Sequence, residues 1–147
     1  MAVPVVGLGI KSINASKNAD ISGPVKVNNN TNIKDVHESD MPLLNRKGIS
    51  VDFEFKTSYE SEKPKKVFAE LAFTGEVLII ENNHKEILDG WKKNKKLPNN
   101  INILIVNTIL RRCLTEGLLL SEKLNLPPPV ILPFATDKQP EESRYIG

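Results

Sequence analysis

Few side chains in this 147-residue chain can do covalent or metal chemistry: it has one cysteine and two histidines. Cys113 lies in an apolar stretch, where a thiol packs as a small hydrophobe, and no histidine or acid can be assigned to it as a base. His37 has Asp35, Glu38 and Asp40 beside it, a grouping that offers metal ligands. No second histidine lies at ligand spacing, and a solvated stretch of mixed charge gives the same grouping, so no metal is expected. His84 reads as a first-turn residue of a short helix. Gly7-Leu8-Gly9 lacks the third glycine and following helix of a phosphate-binding loop. Lys92, Lys93, Lys95 and Lys96 beside Trp91 offer contacts to a phosphate backbone, or simply a solvated helix end anchored by the indole. With a net charge of only +2 the second reading is preferred, and nucleic acid is disfavoured as a partner. No catalytic constellation emerges, so the chain is expected to be neither an enzyme nor a cofactor carrier.

Elements without chemistry must therefore carry the function. The length suits one domain with its own core, and 39% apolar with 26% charged residues is ordinary for a globular chain. A lone cysteine excludes an internal disulfide and suits a reducing compartment. The apolar start, residues 1–10, lacks the basic segment of a signal peptide. The apolar stretch 101–120 carries Arg111 and Arg112 at its middle, at a cost in lipid of several kcal/mol, so it reads as a helix outside the membrane. The expected location is the cytoplasm.

Strands come first. Residues 3–14 read as a strand entering the core, and Val25-Lys26-Val27 as a weaker one. The run Asn28-Asn29-Asn30-Thr31-Asn32 is turn chemistry, and residues 35–48 read as a loop. Val51-Asp52-Phe53-Glu54-Phe55-Lys56 alternates cleanly between a buried and a wet face. A second alternation sets Val67, Ala69, Leu71, Phe73, Gly75, Val77 and Ile79 on one face. Thr74-Gly75 offers a hairpin turn, but an unbroken strand bent at Gly75 keeps Val77 and Ile79 in register, and is preferred.

The period changes at Asn83. Ile87, Leu88 and Trp91 mark a short helix that ends at Leu97-Pro98. A long helix follows, capped by Asn99 or Asn100 and running to about Leu124. Its apolar stripe is Ile103, Val106, Leu110, Cys113, Gly117, Leu120 and Leu124, with Gly117 placed for close approach of another backbone. Leu104, Ile105 and Leu119 fall outside that stripe and call for cover by a second subunit or a bound chain. Pro127-Pro128-Pro129 stops the helix, and Val130-Ile131-Leu132-Pro133-Phe134 exits extended. Residues 1–134 make one domain, and 135–147 a polar tail.

The order of these elements resembles the SecB-type export chaperones, and Leu124-Asn125-Leu126-Pro127-Pro128-Pro129-Val130-Ile131-Leu132-Pro133 is similar to that family's helix-end segment. The resemblance implies an α+β fold, a four-stranded antiparallel sheet followed by two helices packed on one face. It also implies a homo-oligomer, a dimer or tetramer, that holds unfolded or preprotein polypeptides in apolar grooves without ATP. Phe53, Phe55, Leu71, Phe73, Leu104, Ile105, Leu119, Val130, Leu132 and Phe134 are the residues expected at the polypeptide-binding or subunit interface. The family's acidic surface for the secretory motor ATPase has no counterpart in this slightly basic chain. An interaction protein with one defined partner, on the same fold, is the alternative; a nucleic-acid binder using Lys92–Lys96 stands behind it.

Overall fold

A computed structural model of the chain describes residues 5–20 and 23–132. Four strands, β1 (Val5–Lys17), β2 (Val25–Met41), β3 (Arg46–Glu62) and β4 (Lys65–Ile79), precede two helices, α1 (His84–Asn94) and α2 (Asn99–Lys123). The strands form one antiparallel sheet in the order β1-β4-β3-β2. The two central strands are therefore those with the cleanest alternation.

Odd positions of β3 and β4 make the core: Ile49, Val51, Phe53, Phe55 and Tyr59 lie beside Leu71, Phe73, Val77 and Ile79 under the helices. The even positions, among them Asp52, Glu54, Lys56, Glu70 and Glu76, form an open face laced by ion pairs such as Lys56–Glu70 (3.6 Å) and Lys11–Glu76 (3.5 Å). One parity break occurs in β4. Tyr59 pairs with Ala69 and Glu60 with Val67, so Phe68 is a bulge. Phe68 is thereby buried beside Tyr59, and Val67, expected on the buried face, turns outward.

β4 is continuous, as the alternation predicts. A Cβ at Gly75 would overlap the carbonyl oxygen of Gly9, because the β1 ladder shifts register between Ile10 and Ser12. The glycine thus admits a bulged neighbour strand at close range.

Two expectations about the first half of the chain are corrected. The asparagine run and most of 35–48 are not loop: β2 runs through to Met41, and a single 3-10 turn, Pro42–Leu44, leads into β3. An edge strand needs apolar residues only where it meets the core, and Val25, Val27, Ile33 and Val36 supply them. Pairing with β3 then overrides the turn preference of asparagine. β1 is a strand as expected; it lies at the other edge of the sheet, and its half-buried Val5, Leu8, Ile10 and Ala15 pack against the core.

Ile87 and Trp91 bury one side of α1, and Lys95 Nζ sits 5.5 Å from the Trp91 ring centre. Lys92 and Lys93 complement the negative helix end. No asparagine caps α2; Pro98 holds the N-cap position, and its carbonyl accepts from Asn102 N–H. No helix among the described residues is long and apolar enough to cross a membrane.

Candidate polypeptide-binding surface

The buried line of α2 is Ile101, Ile105, Ile109, Cys113, Gly117 and Ser121, a four-residue repeat throughout. A four-residue ridge advances 400° per four residues and winds about the helix, inclined near 26° to its axis, so a helix seated on it crosses the sheet obliquely. The mixed three- and four-residue stripe of the sequence reading meets this line only at Cys113 and Gly117. Ile105 is 0% exposed and belongs to the core, which corrects its assignment to the uncovered surplus. Ile103, assigned to the core stripe, is 60% exposed.

The uncovered surface is consequently different from the one expected. One ridge over from the buried line run Val106, Leu110, Leu114 and Leu118, all half-buried. Leu110 and Leu114 touch the core; Val106 and Leu118 are not packed against it. Ile103 and Leu119 (58% exposed) lie farther round. Arg111, Asn107 and Thr115 break the outermost ridge, and Arg112 and Glu116 pair at 3.5 Å. Leu104 is half-buried and packs on the core.

Phe53, Phe55, Leu71 and Phe73 lie under α2, with exposures of 0–1%. Phe55 and Phe73 meet as tilted rings 6.3 Å apart. Their place in the folded chain is the core, and no partner reaches them while the helix is seated. This corrects the expectation that they line an accessible interface.

After α2 the chain turns at Asn125 (φ 54°) and crosses the sheet from β1 toward β2. Three side chains donate to its carbonyls: Lys17 Nζ to Leu124 O (3.0 Å), Tyr59 Oη to Pro127 O (2.7 Å) and Asn29 Nδ2 to Pro129 O (2.9 Å). Asn29 Oδ1 in turn accepts from Thr57 Oγ1 at 2.7 Å. Prolines have no N–H to give, so a strap presenting only carbonyls suits a sheet presenting donors. Burial pushes the Tyr59 phenol up to about 12, which keeps it protonated as a donor. Leu126 and Pro129 are buried, and Pro129 packs beside Gly117, where a Cβ would fall at ordinary contact distance, 3.5 Å from Pro129 Cγ. The close approach at Gly117 is made by side chains, not by another backbone as expected.

Beyond this strap Val130 is half-buried, Ile131 is 96% exposed and Leu132 is exposed. Phe134 and the tail 135–147 lie outside the described residues. The polar strap donors Lys17, Asn29 and Tyr59 escaped the sequence reading, because each is a single polar residue in a strand and only the fold shows them meeting one segment.

The chemistry-bearing residues are placed as follows. Cys113 is buried on the sheet-facing line of α2, and burial pushes its thiol up to about 12, away from the thiolate that a nucleophile needs. His84 Nε2 lies 3.4 Å from Glu38, tying α1 to β2. Of the acids beside His37 in the sequence, Asp35 lies 3.6 Å from its Nδ1, Glu38 pairs instead with Lys47 and His84, and Asp52 of β3 comes within 3.8 Å.

No family model and no curated protein matches the sequence. Among solved structures, the chain is similar to the SecB-like chaperone Rv1957 of Mycobacterium tuberculosis, solved in complex with a ChAD peptide from the Rv1956 HigA1 antitoxin. The two share a TM-score of 0.55 and 9% identity over 94% of each chain. Strand order, long terminal helix and overlap together show a SecB-like fold.

Proposed function

We propose that this protein is an ATP-independent chaperone that binds unfolded or preprotein polypeptides, assembled as a homo-oligomer in the cytoplasm. The carrying observation is the uncovered apolar surface of α2, from Ile103 and Val106 to Leu118 and Leu119, in a chain whose core is already complete beneath that helix. A lone soluble domain gains nothing from such a surface, whereas a self-assembling holdase uses it twice: for subunit contact, and for apolar contact with clients at its margins. The exit segment, with Val130, Ile131 and Leu132, supplies a second apolar stretch at the sheet edge. A non-aligned, tolerant set of Leu, Ile and Val suits many client sequences.

The deciding experiment follows light scattering of an aggregation-prone client diluted from denaturant, without nucleotide, at increasing chaperone. Protection at near-stoichiometric ratios, with an oligomer found by mass measurement, supports the proposal. A monomer that leaves aggregation unchanged at tenfold excess refutes it. A second reading is one dedicated partner, motivated by the similar mycobacterial structure, which holds a peptide from an antitoxin. Under that reading a native partner binds tightly while unfolded clients neither bind nor compete.

A further inference from the structure

On the open face of the sheet, away from both helices, Asp35 and His37 of β2 meet Asp52 of β3. A bulge in β2 between Ile33 and Asp35 sets the register so that Asp35 lies directly opposite Asp52. Two carboxylates facing each other across adjacent strands repel, and a cation between or beside them relieves that repulsion. The neighbouring lysine, Lys34, is turned to Glu54 (3.9 Å). Among the described residues, the basic side chain within 4 Å of either aspartate is His37 alone.

We propose that Asp35, His37 and Asp52 form a binding site for a divalent transition-metal ion of the zinc type. His37 Nδ1 stands 3.6 Å from Asp35 Oδ2 and 3.8 Å from Asp52 Oδ2, too long for hydrogen bonds to either. Ligand atoms bound at about 2.1 Å in a tetrahedron lie about 3.4 Å apart. The three groups, mutually within 4.8 Å, are thus spaced for an ion between them, needing only small side-chain adjustments. Asp52 faces His37 through Oδ2, while its Oδ1 accepts no hydrogen bond although the side chain as a whole is 34% exposed, so this carboxylate has unused bonding capacity. One imidazole nitrogen with two carboxylates favours zinc, cobalt or nickel over magnesium and calcium, which prefer all-oxygen shells. The remaining coordination positions face solvent, because Asp35 and His37 are about half exposed. Such an ion would clip edge strand β2 to central strand β3 and neutralise the opposed carboxylates.

The test uses tag-free full-length protein titrated with Co2+ and Zn2+, read by the cobalt visible absorption and by calorimetry. One equivalent per chain is expected, with Mg2+ and Ca2+ at the same concentration giving no signal. His37→Ala and Asp52→Asn are expected to weaken binding at least tenfold, while His84→Ala binds as the parent does. With only two histidines in the chain, that last variant separates this site from the His84–Glu38 contact. At a hundredfold excess over Kd, zinc is expected to raise the parent's Tm by about 5–10 °C and that of His37→Ala by none. Binding that survives both His37→Ala and Asp52→Asn, or no binding by the parent, overturns the proposal. Circular dichroism of each variant before titration confirms that the sheet is intact. The outcome is independent of whether the protein protects clients.

Discussion

Truncating two apolar residues of the same helix, Ile105 and Leu119, separates what holds the fold from what is free to bind. Ile105 is fully buried between Ile101 and Ile109 on the ridge that meets the sheet, whereas more than half of Leu119 is in solvent. Ile105→Ala removes the equivalent of three methylenes from the core, about 2.4 kcal/mol of transfer free energy at ~0.8 kcal/mol each. A partly collapsed cavity adds roughly 1–2 kcal/mol, for a total of about 3–4 kcal/mol. Against a typical stability of 5–15 kcal/mol that is a large fraction, and Tm falls by roughly 10 °C. Leu119→Ala removes a similar volume, but less than half of it leaves an apolar setting, so the cost stays below about 1 kcal/mol. Urea titrations at low protein concentration measure both, since an assembled oligomer would add its own contribution to Leu119. Equal costs for the two variants in that regime would refute the assignment of α2's buried and open faces.

Further substitutions probe the strap and the close contacts. Gly75→Ala sets a methyl group against the Gly9 carbonyl and is expected to cost about 2–4 kcal/mol, whereas Gly117→Ala, with 3.5 Å to its nearest neighbour, is neutral or gains up to about 1 kcal/mol of helix propensity in thermal melts. Tyr59→Phe leaves the Pro127 carbonyl without its donor, costing about 1–2 kcal/mol and speeding protease cleavage after residue 126. Cys113 is expected to resist thiol reagents at pH 8 until urea unfolds the chain, as the buried thiol is pushed up to about 12. Both Cys113 and Tyr59 titrate higher in the folded state than in the unfolded one, whose values are 9.0 and 10.0. The unfolded chain therefore gives up protons first, and stability present below pH 9 is lost as pH rises from about 9 to 12. Alkaline melts of Tyr59→Phe should show a shallower loss.

The central strands were legible because both faces of the sheet are chemically distinct there: apolar odd positions and charged even positions over 51–56 leave one register. β2 was not, since an edge strand buries few residues and its asparagines favour turns when read alone. Residues 35–48 look like a loop for the same reason, their pairing with β3 being a non-local fact. The long helix was found with its ends nearly right, yet its buried line was displaced. Apolar residues occur all round α2, so periodicity alone cannot choose between a stripe parallel to the axis and an inclined four-residue ridge. The position of the sheet decides it, and with it moves Ile105 inward and Ile103 outward. The strap donors Lys17, Asn29 and Tyr59 are separated by up to 42 residues and converge only in three dimensions.

The claim that α2's open face binds polypeptide is tested most directly by the double variant Ile103→Ser, Leu119→Ser in the client-aggregation assay. Both side chains are more than half exposed, so the fold should be retained, with Tm within about 3 °C of the parent. The account predicts that the folded double variant loses most of its protection of the client. Undiminished protection by that variant would contradict it.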